Sequence, residues 1–121
     1  MDVRDLNHVA LSVADLDASV RFYGDTLGLR ALPRPDFSFA GAWFALGDRS
    51  ELHLIVGDGD IGSGGRRGSH FALTVDGLAG VAEMLTAKGV VHDVLTRPDG
   101  VGQIFIQDPD GHWIEFTSLP G

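Results

Sequence analysis

Two short segments, NHVALSV at residues 7–13 and SHFALTV at residues 69–75, echo one another 62 positions apart. A repeat that keeps its register over a whole module fixes the architecture before any single element is assigned. The offset holds further along the chain. From His53 it leads to Glu115, and LHLIV at 52–56 matches IEFTS at 114–118. Trp43 and Phe44 fall on Phe105 and Ile106, and the turn at Gly47-Asp48 falls on Pro109-Asp110. Agreement at both ends without a gap reads as two copies of one module.

Each copy carries the same pattern. The first strand, about 5–13 and then about 69–75, alternates with period two: Val9, Leu11 and Val13 on one face, His8, Ala10 and Ser12 on the other. Phe71, Leu73 and Val75 repeat this against His70, Ala72 and Thr74. A helix follows. Asp15 or Asp17 is expected to cap the first, which carries Val20, Tyr23 and Leu27 on one face and stops at Gly28. Asp76 is expected to cap the second, with Leu78, Val81, Met84 and Leu85 on its apolar face and Gly89 at its end. Three shorter strands come next, at about 29–33, 40–46 and 51–56, then 90–96, 102–107 and 112–118. The last hairpin turns on Asp108-Pro109-Asp110-Gly111. The order is βαβββ, twice. The chain therefore reads as one domain over 1–121, with module one at about 5–56, a linker at 57–69 and module two at about 69–118. The linker, GDGDIGSGGRRGS, lacks the Gly-Lys-Ser/Thr ending of a phosphate-binding loop and is expected to be a flexible connection.

Composition removes several function classes. The 121 residues hold no cysteine, which excludes disulfide scaffolds, thiolate zinc sites and cysteine nucleophiles. Seventeen acids against nine bases give a formal charge of −8, and the only adjacent basic pair is Arg66-Arg67, so nucleic acid is not an expected partner. No run of eighteen apolar residues and no apolar segment behind Met1 suggest a membrane span or a secretory signal. A cytoplasmic protein is the expectation. Of the seventeen acids only Glu51, Glu83 and Glu115 are glutamates, and Glu115 sits between Ile114 and Phe116 in an apolar strand. A carboxylate buried there costs several kcal/mol unless something offsets its charge.

Metal coordination is one such offset. His8 and His70 are the same position of the two copies, and so are His53 and Glu115. If the modules share a concavity, repeat symmetry gathers three imidazoles and one carboxylate. Nitrogen and oxygen donors of this kind suit one divalent ion, such as Ni, Zn, Mn, Co or Fe, in an open site. His92 and His112 read as structural.

The combination of NHVALSV, the RFYGDTLGL helix end and DPDGHWIEF resembles the vicinal oxygen chelate superfamily, which includes glyoxalases, bleomycin-resistance proteins and extradiol dioxygenases. The resemblance implies a glyoxalase/dioxygenase-like fold, with the paired modules forming a curved eight-stranded mixed sheet, a cup around one metal. It places the family's metal ligands on His8, His53, His70 and Glu115, with Glu115 also the catalytic base. It implies a lyase or isomerase acting on a small substrate chelated through vicinal oxygens, and a homodimer. Alternatives within the same family are an antibiotic-binding or fosfomycin-type resistance protein and a non-haem Fe(II) dioxygenase. Where glyoxalase I has an arginine and an asparagine that grip glutathione, this chain has Ser12 and Gly57, and where the fosfomycin enzymes have a threonine it has Ala10. Phe37, Phe39 and Trp43 are expected mostly in the core, with Phe37 and Phe39 in the segment where the family places its substrate-pocket wall. Gln103 is a further candidate for that wall. Arg34 and Arg97, near prolines in both copies, read as structural, and Arg66-Arg67 as a pair able to close over an anionic substrate.

Overall fold

In a computed structural model, residues 1–57 and 65–118 are described, and they fall in two compact units, Met1–Asp60 and Ile61–Gly121. Residues 58–64 of the glycine-rich connection lie outside the described residues, whereas its end, Gly65–Arg67, forms one turn of 3₁₀ helix.

The first unit runs β1 (His8–Val13), α1 (Leu16–Val20), β2 (Ala31–Leu32), β3 (Gly41–Leu46) and β4 (Ser50–Val56). Its sheet has the order β1-β4-β3-β2, with β1 parallel to β4 and the other pairs antiparallel. Asp15 caps α1 by accepting a hydrogen bond from the Ala18 backbone N–H, which satisfies one of the free donors of a helix start. The helix then widens into a π-helical turn over Arg21–Thr26, closed by Leu27 N–H donating to the Phe22 carbonyl, and ends at Gly28 with φ 74°. Tyr23 and Ser19 on this segment are buried, as are Val13, Phe44, Leu52 and Leu54 on the sheet. That is the alternating face the sequence assigns to the helix side.

The second unit repeats the order with β5 (His70–Thr74), α2 (Leu78–Ala87), β6 (Asp93–Thr96), β7 (Gly102–Gln107) and β8 (Trp113–Thr117). Its sheet order is β5-β8-β7-β6, and β5 runs parallel to β8. Leu85, Ile104, Ile106 and Ile114 form its buried side. Here the expected cap fails. Gly77 in extended conformation is the N-cap, and no side chain caps α2, so Asp76 does not take that role. Gly89 ends the helix at φ 71°. The turn at Asp108–Gly111 forms as its sequence predicts: the Asp108 carboxylate accepts from the backbone N–H of Asp110 and His112, and Gly111 adopts φ 91°.

The α+β class and the tandem βαβββ order are thus as expected, with the eight strands divided between two four-stranded hydrogen-bonded sheets. The repeat offset survives in the pairing. Ala10 opposes His53 as Ala72 opposes Glu115, and Trp43 opposes His53 as Phe105 opposes Glu115. It slips at one place only among the paired strands. Ala31 pairs with Phe44, but Asp93 pairs with Phe105, one residue short of the equivalent Ile106. Pro33 stops β2 after two residues, since it has no N–H to donate, whereas β6 runs to four.

Candidate metal and substrate site

Both first strands turn their histidine away from the helix side, because alternation puts His8 and His70 opposite Val9, Leu11 and Phe71, Leu73. In module one His8 lies against His53 of β4, their rings stacked with centroids 4.1 Å apart. Trp43 of β3 covers the other side of His53 at 4.0 Å and 3° between planes. His53 is therefore the middle of a three-ring stack. Its Nε2 donates to Glu51 Oε1 at 2.9 Å, two residues back on the same strand face. The His8 Nδ1 donates to the Asn7 side-chain carbonyl at 2.7 Å.

In module two the position equivalent to His53 is Glu115, only 6% exposed. Its Oε1 lies 3.2 Å from His70 Nε2, and its Oε2 accepts from Gln103 Nε2 at 3.2 Å. His70 Nδ1 lies 3.2 Å from the Gly68 carbonyl, and the Phe105 ring meets His70 edge-on at 5.6 Å. These groups floor an open cavity of about 540 Å³ whose rim carries Arg66, Arg67 and Arg97. Arg66 donates to Asp93 at 2.9 Å with its guanidinium 5.9 Å from the Phe105 centroid, and Arg97 pairs with Asp99.

Ring tautomers follow from these partners. Carbonyl and carboxylate oxygens only accept, so the ring nitrogen facing each one carries its proton. In neutral imidazoles that leaves His8 Nε2 and His53 Nδ1 as lone pairs, whereas His70 faces an oxygen at each nitrogen, Gly68 at Nδ1 and Glu115 at Nε2. Histidines that hold metals nearly always donate their other N–H to a carbonyl or carboxylate in this way. The His70–Glu115 separation also fits: two donors each about 2.1 Å from one ion and at right angles lie about 3 Å apart. The residues present therefore suit a divalent ion. Among the described residues no three such side chains are gathered closely enough to hold one; the donors come in pairs.

Phe37 and Phe39 depart from the expected core. They are 42% and 44% exposed and stack on each other at 5.0 Å, with the Arg34 guanidinium 4.9 Å from both centroids. Arg34 also donates to the Phe39 carbonyl, which orders this loop, and Trp43 lies 6.1 Å from Phe37. His112 and His92 make local contacts, the latter with its Nδ1 on the Val90 carbonyl. Sequence reasoning missed Glu51 as a partner of His53, although period-two spacing on one strand signals it. It also missed Arg97 as a cavity residue, because the adjacent proline explained that arginine as part of a turn.

A family model, the Glyoxalase/Bleomycin resistance protein/Dioxygenase superfamily, matches residues 5–116. The chain is 34% identical to a lactoylglutathione lyase of Haemophilus influenzae, over 90% of this chain and 88% of that one. It is 31% identical to the uncharacterized protein YwbC of Bacillus subtilis, over 92% and 94% of the two chains. A crystal structure assigned to the glyoxalase family from Bacillus anthracis superposes with a TM-score of 0.84 at 26% identity, covering 99% of this chain and 98% of that one. With its repeat, its strand order and its paired donors accounted for, the chain belongs to the glyoxalase/bleomycin resistance protein/dioxygenase superfamily.

Proposed function

We propose that this chain is a divalent-metal-dependent enzyme of glyoxalase type, a lyase or isomerase acting on a small substrate chelated through vicinal oxygens. The observation that carries this reading is the donor chemistry. His8 and His53 each have one nitrogen on a side-chain oxygen and the other left as a lone pair, and His70 Nε2 stands 3.2 Å from the buried Glu115 carboxylate. His8, His53, His70 and Glu115 are the proposed ligands of one ion per site. The repeat correspondence assigns two donors to each module, and a homodimer with His8 and His53 from one chain and His70 and Glu115 from the other is the proposed assembly. Nucleic-acid and membrane partners are not part of the reading; among the described residues no helix is long and apolar enough to cross a membrane. A cytoplasmic location is proposed with it.

A bound divalent ion supplies Lewis acidity to the substrate's oxygens, which acidifies the C–H beside a carbonyl. Glu115 then takes that proton and returns it to the neighbouring carbon, as general base and then general acid. Gln103 holds its Oε2 meanwhile. The cationic rim of the module-two cavity and the exposed Phe37 and Phe39 are the proposed substrate contacts. Ser12 and Gly57 offer no charged or amide side chain to grip glutathione, so its adduct with methylglyoxal is expected to turn over poorly. Turnover near 10⁷ per molar per second, about the range of efficient enzymes, would show that those two positions do not decide the matter.

Elemental analysis of the purified protein, with thermal shift in Ni, Co, Mn, Fe or Zn and light scattering, tests the reading. The expected result is one ion per site, a melting curve lowered by a chelator, and a dimer. An unchanged melting curve with chelator, together with full metal content in Glu115→Ala, overturns the ligand assignment. A monomer at micromolar concentration with full metal occupancy overturns the shared site, and iron with oxygen uptake would turn the reading to a dioxygenase.

A further inference from the structure

The position 62 residues after Gly41 is Gln103, and the two modules use it in opposite ways. At Gly41 there is no room for a side chain: an added Cβ would collide with the Leu54 carbonyl and lie 3.1 Å from the Arg34 guanidinium. At Gln103 a long side chain reaches from β7 across to β8 and donates Nε2–H to Glu115 Oε2 at 3.2 Å. Because a carboxylate oxygen only accepts, the amide must present its nitrogen there. Its orientation follows from its partner.

Glu115 needs such a partner. The terminal torsion of a glutamate is soft and roughly two-fold, so packing alone does not choose which oxygen faces His70 or how the carboxylate plane lies. A carboxylate free to rotate can present one oxygen or both to an ion. Resting on the metal-dependent reading above, we propose that Gln103 is a positioning residue for Glu115. It retains Oε2, so that Oε1 alone is offered beside His70 Nε2 and Glu115 ligates through a single oxygen. The contact between Gln103 and Glu115 is part-buried, so solvent competes weakly for the amide. Module one has no counterpart: the glycine is empty of side chain, and His53 makes its hydrogen bond in the other direction, donating along its own strand to Glu51.

Cobalt(II) alone, added to the full-length protein, is the probe. Gln103→Leu keeps the bulk and removes the donor, and Gln103→Met, with similar reach, is the second variant if leucine does not fold. Loss of a partner that orients a metal ligand typically weakens metal affinity about 10- to 100-fold, and that is the expected rise in the cobalt dissociation constant. The cobalt d–d absorption should change shape as well, because a released carboxylate changes the coordination number. An unchanged constant with an unchanged spectrum in a folded variant overturns the positioning role while leaving the metal reading intact. Failure of the metal reading looks different: wild type and Glu115→Ala then bind cobalt equally weakly. In that event the metal-free protein decides. If the Gln103 side-chain amide proton signals shift and exchange faster with water in Glu115→Ala, the hold on Glu115 stands. If they do not move, it falls.

Discussion

The two modules share a fold and differ in the side chains that line its open face. In module one the floor of the sheet is a stack of flat rings, His8, His53 and Trp43, with centroids about 4 Å apart. In module two the equivalent floor is a line of polar groups, Gln103 donating to Glu115 and Glu115 beside His70, with Phe105 set edge-on. Four substitutions account for the change: Gly41 against Gln103, Trp43 against Phe105, His53 against Glu115, and Glu51 against Trp113. Once the carboxylate moves from the rim position of module one to the centre of module two, it leaves water, and its oxygens must be satisfied from within. Duplication thus supplied two copies of a scaffold. Divergence at a few positions on the face away from the helices made one copy aromatic and the other polar.

The sharpest way to break this comparison is at the centre of each floor. Glu115→Gln should lower activity about 100- to 10,000-fold, the range expected for removal of a general base, while the protein stays folded. His53→Gln, which removes a proposed ligand without a proton-transfer role, should lose less. Equal losses in steady-state assays would mean that the modules do not divide the work as described. Gly41→Ala comes next. Its Cβ meets a backbone carbonyl that cannot move without disturbing β4, so about 1–3 kcal/mol of destabilisation is expected in denaturant melts, as for overpacked cores. Gln103→Ala, at the equivalent position, should cost about 1 kcal/mol, the worth of one hydrogen bond. A Gly41→Ala protein as stable as wild type would show that module one tolerates a side chain there after all. The smallest effect concerns the helix starts. Asp15→Ala should cost about 1 kcal/mol, because it removes the only side-chain cap that either helix has among the described residues. Gly77→Asp should gain only a few tenths. If Asp15→Ala melts with wild type, the asymmetry of capping carries no energetic weight.

Much of the fold was legible because it depends on periodicities that sequence displays directly. Alternation located β1 and β5 and their histidines on the face away from the helices, and the Asp-Pro-Asp-Gly run located the last turn. The constant offset predicted equivalent strand pairings that the registers of β1, β3 and β4 reproduce in β5, β7 and β8. What escaped depends on local competition. The π-helical turn at Arg21–Thr26 has no periodic signature of its own; it places Gly24 against the Phe44 ring, where a Cβ would come within 3.3 Å. Asp76 looks like a cap, yet the chain enters α2 one residue later, at Gly77. Phe37 and Phe39 look like core by composition, but they lie between β2 and β3 and find their contacts with each other and with Arg34. The four proposed metal donors, His8, His53, His70 and Glu115, were all named from sequence. Their partners were not, since Asn7, Glu51 and Gly68 are polar groups whose role depends on which ring nitrogen they meet.

The ring stack of module one has an optical consequence. Trp43 and Trp113 are the only two tryptophans, and they occupy different surroundings: Trp43 lies flat on the His53 imidazole, while Trp113 meets Phe105 edge-on at 6.4 Å. An excited indole in face contact with an imidazole gives up an electron to that ring more readily once the ring carries positive charge, from a proton or a bound cation, and its emission is then quenched. Trp43 emission is therefore a native gauge of His53, readable without a label, and Trp113 provides the internal reference in the same chain. Replacing Trp113 by phenylalanine would leave a single emitter whose brightness tracks one imidazole.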